Sequence, residues 1–244
     1  MHTDSICTKE KINSDLKIGI KKGIPICLGY IPVSFTFGLM AVNGGLPPWF
    51  PIFISITNLT SAGQFAGLNL ILQNSSLIEI GMTIFIINIR YMLMSLALSQ
   101  KISPNMSFAK RALISHGITD ETFAVASMET EEISFEYLLG LIIGPILGWT
   151  LGTALGALAC SVLPTSIQSA MGIALYAMFI ALVIPATKHS KKIGIVVFIA
   201  VLLSCAFTWI AFFLTMSSGW KLITATILAA GIGASFFPVE EEPK

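Results

Sequence analysis

Charge is what this sequence has least of. Its 244 residues include 14 Lys and Arg and 13 Asp and Glu, 11% together, against roughly 25% in an average soluble domain. So few charges cannot cover the surface of a soluble fold of this length. The gaps are long. No Asp, Glu, Lys or Arg occurs from Gly23 to Ile78, from Tyr137 to Thr187, from Ile193 to Trp220 or from Leu222 to Val239. A net charge of +1 leaves no basic footprint for nucleic acid. Disorder is excluded as well, because it needs low hydrophobicity and high charge.

Other absences narrow the chemistry. Three histidines (His2, His116, His189) are too few for a histidine metal site. Four cysteines (Cys7, Cys27, Cys160, Cys205) form no C-x-x-C pair and support neither zinc nor a disulfide framework. There is no G-x-x-x-x-G-K-S/T loop, no third glycine after Gly231-Ile232-Gly233, no H-E-x-x-H or G-x-S-x-G pattern, and no S-x-x-K constellation, since S-x-x-K occurs without the S-D-N and K-T-G elements that complete it. An intramembrane enzyme needs a nucleophile and base inside its bundle, and none is legible. The expectation is a protein that is not an enzyme and holds no cofactor or metal.

What is present is hydrophobic sequence. A bilayer core of about 30 Å takes roughly 20 apolar residues as a helix. Hydrophobic segments read at 23–42, 51–72, 77–99, 137–161, 166–187, 193–215 and 220–237. The fold class expected is all-α: a polytopic membrane helix bundle of six to seven segments. Residues 1–22 form a polar N-terminal segment, 23–237 the membrane domain and 238–244 an acidic tail. The first 22 residues have no apolar run of their own, so no cleavable signal is expected.

Lysine and arginine set orientation. Lys9, Lys11, Lys17, Lys21 and Lys22 place the N-terminus in the cytoplasm. Lys101, Lys110 and Arg111 ask for the same side, as do Lys188, Lys191 and Lys192. Three full spans between Lys22 and Lys101 would violate this. Segment 51–72 is the one expected not to cross cleanly, because its centre, Thr57 to Gly67, is polar and glycine-rich. Irregular backbone at membrane depth survives only where it is buried or lines a cavity. A re-entrant or broken helix restores the parity; a normal span with polar residues facing its neighbours is the alternative.

Several residues stand out. Gly140, Gly144, Gly148, Gly152 and Gly156 form a GxxxG ladder suited to close helix packing in lipid. Each step drifts about 40° around the helix, so the ladder serves two neighbours or one steeply crossing helix. Arg90 lies mid-segment beside Asn88 and Tyr91. An arginine there costs roughly 2.5–3.5 kcal/mol and should face the bundle, a wet cavity or, by snorkelling, an interface. Its partner is either a protein carboxylate (Asp120 or Glu121, since Glu79 is about 16 Å away along a helix) or a substrate. Thr119 suits a helix cap before Asp120 and Glu121. Alternatively these acids reach the bundle and handle a proton or an ammonium group. His116 shares a face with Asp120 if the intervening turn is helical. Glu129, Glu131, Glu132 and Glu136 read as a solvated helix start. A faint repeat pairs Thr60-Ser61 and Gly67 with Thr165-Ser166 and Gly172, and Pro25 and Gly29-Tyr30 with Pro145 and Gly148-Trp149.

These stretches in order carry a resemblance. Gly23-Ile24-Pro25 through Gly38, Thr60-Ser61-Ala62-Gly63-Gln64-Phe65-Ala66-Gly67, Asn88-Ile89-Arg90-Tyr91 with Ser95 to Ser99, and Thr119-Asp120-Glu121-Thr122-Phe123 resemble the AzlC-type (azaleucine resistance) branched-chain amino acid permeases. The likeness covers most of residues 17–187. Family members more often read Ala-Gly-Ala-Ser-Gln-Phe where this chain has Thr-Ser-Ala-Gly-Gln-Phe. The resemblance implies the large subunit of an inner-membrane exporter of branched-chain amino acids such as valine. It also implies a small, very hydrophobic AzlD-type partner, for which the glycine ladder would be a docking face. A small zwitterionic, apolar substrate needs an anion site, a cation site and an apolar pocket. Arg90, or a half-helix N-terminus near Ser61 and Gly63, is expected to take the carboxylate, and Asp120 or exposed carbonyls the ammonium. Phe65 would hold the side chain, and Asn58, Gln64 and Asn88 would line the site. Asp120 or Glu121 would carry any coupled proton. The competing reading is a passive channel or a scaffolding subunit.

Overall fold

The computed structural model describes residues 2–164, 190–210 and 216–237, together with 180, 183–185, 187 and 188; residues 2–11 are described as helix backbone. Among these residues the structure is helical, with α1 (His2–Asn43), α2 (Trp49–Thr57), α3 (Ala62–Leu72), α4 (Leu77–Ser99), α5 (Phe108–Ser115), α6 (Asp120–Ser127), α7 (Phe135–Ala159), α8 (Lys191–Trp209) and α9 (Ser218–Phe236). Among the described residues, five helices are long and apolar enough to cross a bilayer: Ile12–Asn43, Leu77–Ser99, Phe135–Ala159, Lys191–Trp209 and Ser218–Phe236. Most of segment 166–187, the second half of the faint Thr-Ser repeat and the tail from 238 lie outside the described residues. The helical residues group into two compact units, Met1–Phe65 with Asn88–Ala174 and Ala66–Ile87 with Leu175–Lys244.

The first unit is built on α1 and α7. Helix α1 passes through position 22 without a break, so the boundary between its polar and apolar parts is one of composition. The glycine ladder faces α1 along its length. A Cβ on Gly140 would lie 2.4 Å from Leu16 O, on Gly148 2.7 Å from Cys27 O, on Gly152 2.6 Å from Ile31 O and on Gly156 1.9 Å from Phe35 O. Gly144 stands 3.5 Å from Gly23 O by the same measure. Glycines on α1 answer them, Gly19 meeting Tyr137 O at 2.1 Å and Gly38 meeting Thr153 O at 2.1 Å. Backbones this close need the absence of side chains, which is what small residues supply between helices in lipid. The ladder is therefore no docking face for a partner subunit: the chain's own α1 covers it. Nor does it divide between two neighbours.

Contacts rise together along both helices, so α1 and α7 run parallel. Both start at the same end, where Ser134 caps α7 by accepting from Tyr137 N at 3.2 Å and donates to Asp15 at 2.7 Å. One net crossing in the opposite sense must lie between them. Between Asn43 and Phe135, α4 is the one helix of spanning length. Helices α2 and α3 together therefore make no net crossing. Gly63 approaches Asn88 and Gly67 approaches Ile84, so α3 runs antiparallel to α4. Segment 51–72 is thus the expected break: α2 enters and α3 turns back.

The turns have local causes. At Gly45 the backbone is left-handed (φ +96°); Gly45 N bonds Val42 O at 3.0 Å and Leu46 N bonds Ala41 O at 3.1 Å. This is the Schellman stop, and Pro47-Pro48 prevent resumption. Asn74 (φ +55°) ends α3 in the same way, with Ser75 N on Leu70 O at 3.0 Å. Asparagine is among the few residues besides glycine that enter this region readily.

In the second unit α8 and α9 pack together, with Gly233 against Val196. Glu79, 5% exposed, accepts from Ser217 Oγ at 2.5 Å and from Gly219 N at 2.8 Å. It satisfies the free amide end of α9, whose cap residue Ser217 does not cap its own helix.

Candidate functional site

The break between α2 and α3 has unusual backbone. Asn58 leaves helical geometry (φ −145°, ψ 115°) while its N–H still bonds Ile54 O at 2.8 Å. Ser61 is left-handed (φ +43°), uncommon for a residue with a side chain. Gly63 N and Phe65 N then donate to Thr60 O and Ser61 O at 3.1 and 3.0 Å, opening α3. A Cβ on Gly63 would lie 2.7 Å from Asn88 Oδ1 and 2.8 Å from Thr60 Oγ1. Glycine there lets the Asn88 amide and the Thr60 hydroxyl close over the first turn of α3. That turn carries no acidic residue, so its partial positive charge is not neutralised within the helix.

A second helix start reaches the same place. Thr119 caps α6 in a reciprocal box: Thr122 N donates to Thr119 Oγ1 at 3.3 Å and Thr119 N donates to Thr122 Oγ1 at 2.7 Å. The two acids that follow point apart. Asp120 Oδ1 accepts from Arg90 at 2.5 Å. Glu121 Oε2 accepts from Tyr30 Oη at 2.5 Å, and Tyr30 Oη also lies 2.7 Å from Thr119 Oγ1. The other arm of the Arg90 fork donates to Tyr91 Oη at 3.2 Å, and Tyr91 Oη donates to Thr60 O at 3.4 Å. Arg90 and Tyr91 thus join the α2–α3 break to the start of α6, all inside the first unit.

Four buried polar atoms of this region lack a partner: Thr60 Oγ1, Gln64 Oε1, Asn88 Oδ1 and Trp149 Nε1. Buried polar groups normally find partners, and these four have none within the chain.

Of the residues singled out from sequence, Ser61, Gly63, Gln64, Asn88, Arg90, Asp120 and Glu121 lie at or beside this junction. Asn58 ends α2. Phe65 is 3% exposed and packs edge-on against Phe37, ring centroids 5.4 Å apart, so its ring is part of the core. His116 closes α5 while Asp120 opens α6, so the two share no helix face. Glu129 is not merely solvated: it pairs with Lys22, accepts from Tyr137 Oη at 2.5 Å, and its backbone oxygen accepts from Lys101 at 3.2 Å. The Lys22 and Tyr137 bonds hold its carboxyl below the usual range. Sequence reasoning missed Tyr30, Ser55 and the buried Glu79. Tyr30 lies in a charge void and carries no signal of its own, whereas Glu79, an acid at the edge of a span, did.

The chain matches known proteins over much of this region. The family described as AzlC protein matches residues 25–163, over half of the chain, from within α1 to the end of α7. The Escherichia coli (strain K12) protein called inner membrane protein YgaZ is 28% identical over 72% of this chain and 74% of its own length. An Archaeoglobus fulgidus protein, described as an uncharacterized membrane protein, is 36% identical over 70% of this chain and 75% of its own. A Helicobacter pylori membrane protein, with the same description, is 28% identical over 43% of this chain and 45% of its own. No solved structure matches. The match spans the parallel helix pair, both interrupted helix starts and the Arg90–Asp120 bridge, and with it the chain belongs to the AzlC protein family of membrane proteins.

Proposed function

We propose that this protein is a secondary transporter that exports branched-chain amino acids such as valine, acting with a small hydrophobic AzlD-type subunit. The observation that carries the reading is the junction of two interrupted helix starts at Arg90–Tyr91, ringed by unpartnered polar atoms. Transporters place substrate where discontinuous helices expose backbone polarity at membrane depth. The unneutralised start of α3, with Arg90 nearby, suits a carboxylate. Asp120 and Glu121, each held by a single side-chain partner, are the groups placed to exchange a proton as the site changes access.

The orientation goes with this proposal. Lys22 and Lys101 converge on Glu129 at the end where α1 and α7 begin, and that basic end is the cytoplasmic one by the lysine rule. The membrane is the cell inner membrane, as the name of the Escherichia coli relative states for that protein. No chemical conversion is assigned to the chain, and no cofactor.

The test is efflux of radiolabelled valine, leucine and isoleucine from cells expressing the chain, with and without the small subunit. Saturable efflux that needs both chains is the expected result. Non-saturable flux, or none from correctly inserted protein, contradicts it and favours a channel or a scaffolding subunit.

A further inference from the structure

The hydrogen atoms of a buried relay fix which way Gln64 points. Thr153 Oγ1 lies 2.9 Å from Trp149 O. A carbonyl oxygen only accepts, so the single Thr153 hydroxyl hydrogen goes there. Thr153 and Ser55 are 2.8 Å apart with either able to donate; Thr153 has no hydrogen left, so Ser55 donates to it. Ser55 Oγ must then accept in its contact with Gln64, at 3.2 Å. The group facing Ser55 is therefore the Gln64 amide NH2, which has hydrogens to give. The opposite end, Oε1, is turned away, buried and unpartnered, in a residue only 3% exposed. Amide orientation is normally assigned from such a network, and the bond from Thr153 to Trp149 O assigns it here.

We propose that Gln64 Oε1 is the acceptor for the protonated amine of the substrate, with Thr60 Oγ1 and Asn88 Oδ1, the unpartnered oxygens that meet at the preceding Gly63, as further acceptors. The inference rests on the transport reading and changes its assignment of roles. Asp120, expected from sequence to meet the ammonium group, is already engaged by Arg90 at 2.5 Å. Gln64 lies on the first turn of α3, so carboxylate and amine of one small zwitterion would meet the same turn. The α2–α7 relay of Ser55 and Thr153 is positioning machinery: it presents an oxygen and withholds the NH2 group that would repel an ammonium. The ligand class follows, since a primary amine is required and the 2-oxo acid of the same carbon skeleton lacks the donor.

The experiment compares valine with its 2-oxo acid, 3-methyl-2-oxobutanoate, as transported or competing compounds. Full-length wild type, Gln64→Leu and Ser55→Ala are measured with the small subunit present. Wild type should prefer valine. In Gln64→Leu the half-saturation concentration for valine should rise at least tenfold, in line with a lost hydrogen bond to a charged group, while competition by the oxo acid stays within about twofold. Ser55→Ala frees the amide to turn and should weaken valine in the same selective way with less effect on maximal rate. Unchanged valine handling in both variants, or equal loss for both compounds, overturns the assignment. If wild type moves no amino acid, the transport reading itself fails, a result visible before any variant is compared.

Discussion

Arg90 lies mid-span, where a charge needs a partner. A mid-span arginine costs roughly 2.5–3.5 kcal/mol even on the lenient scale. Its bridge to Asp120, with side chains 42% and 38% exposed at the surface of the chain, gives the charge a partner. The proposed carboxylate site adds a functional role to that pairing. Arg90→Ala should abolish valine transport in protein that still inserts, as read by efflux together with membrane-fraction immunoblots; retained transport sinks the assignment. Glu79 is the opposite case, a buried acid whose bonds all serve structure. A Cβ on Gly219 would lie 2.5 Å from Glu79 Oε1, so Gly219→Ala should displace the carboxylate. The loss should be of the order of a helix cap, about 0.5–2 kcal/mol, seen as a lower melting temperature in detergent with valine half-saturation unchanged. The charge of Arg90 was legible from sequence because it interrupts a hydrophobic run. The role of Glu79 was not, because its partners Ser217 and Gly219 are 138 and 140 positions away.

The glycines separate at the scale of the element. Gly38, Gly152 and Gly156 lie in backbone-to-backbone contact between α1 and α7, whereas Gly29, Gly81 and Gly231 have nothing within 4 Å of a built Cβ. Gly156→Ala should therefore lower thermal stability, with overpacking costing about 1–3 kcal/mol. Gly29→Ala and Gly231→Ala should be neutral or stabilising by about 0.5–1 kcal/mol through helix propensity. Melting curves of the single variants in one detergent check the ordering, and equal effects at both sets of positions would contradict the packing. The ladder itself was plain in the sequence, as a spacing of four. Which helix it served was not, because any apolar helix with small residues could answer it; the answering glycines Gly19, Gly23 and Gly38 are spaced irregularly. The α2–α3 break was legible for the opposite reason. Asn58, Thr60, Ser61, Gly63 and Gln64 are residues a lipid-facing helix would not carry, and lysine parity demanded a segment that fails to cross.

The first unit is organised by the parallel pairing of α1 and α7. It forces one net crossing between Asn43 and Phe135, and α4 supplies it. The basic residues after α4 then lie on the side where α1 begins, which is what the Lys22, Lys101 and Glu129 cluster shows locally. Cysteines introduced at Lys21 and Asn105 should react with impermeant thiol reagents from the same face of the membrane. One introduced at Gly45 should react from the opposite face. Labelling of Lys21→Cys and Asn105→Cys from opposite sides would mean that α2 and α3 cross after all. Hydropathy fixes spans from composition alone, which is why these boundaries were readable. The meeting of α6 with α1 and α4 depends on side chains far apart in sequence, so the bonding roles of Tyr30 and Tyr91 emerged with the coordinates.

The most direct test of the account asks whether substrate occupies the α2–α3 break. Thr60→Cys, in a chain whose Cys7, Cys27, Cys160 and Cys205 are replaced by alanine and which still transports, is treated with a small permeant maleimide at increasing valine. The account predicts that valine slows the labelling of position 60 saturably, at concentrations matching its transport half-saturation, and that 3-methyl-2-oxobutanoate at the same concentrations does so far less. Labelling that proceeds at one rate from zero to saturating valine would place the substrate elsewhere and contradict it.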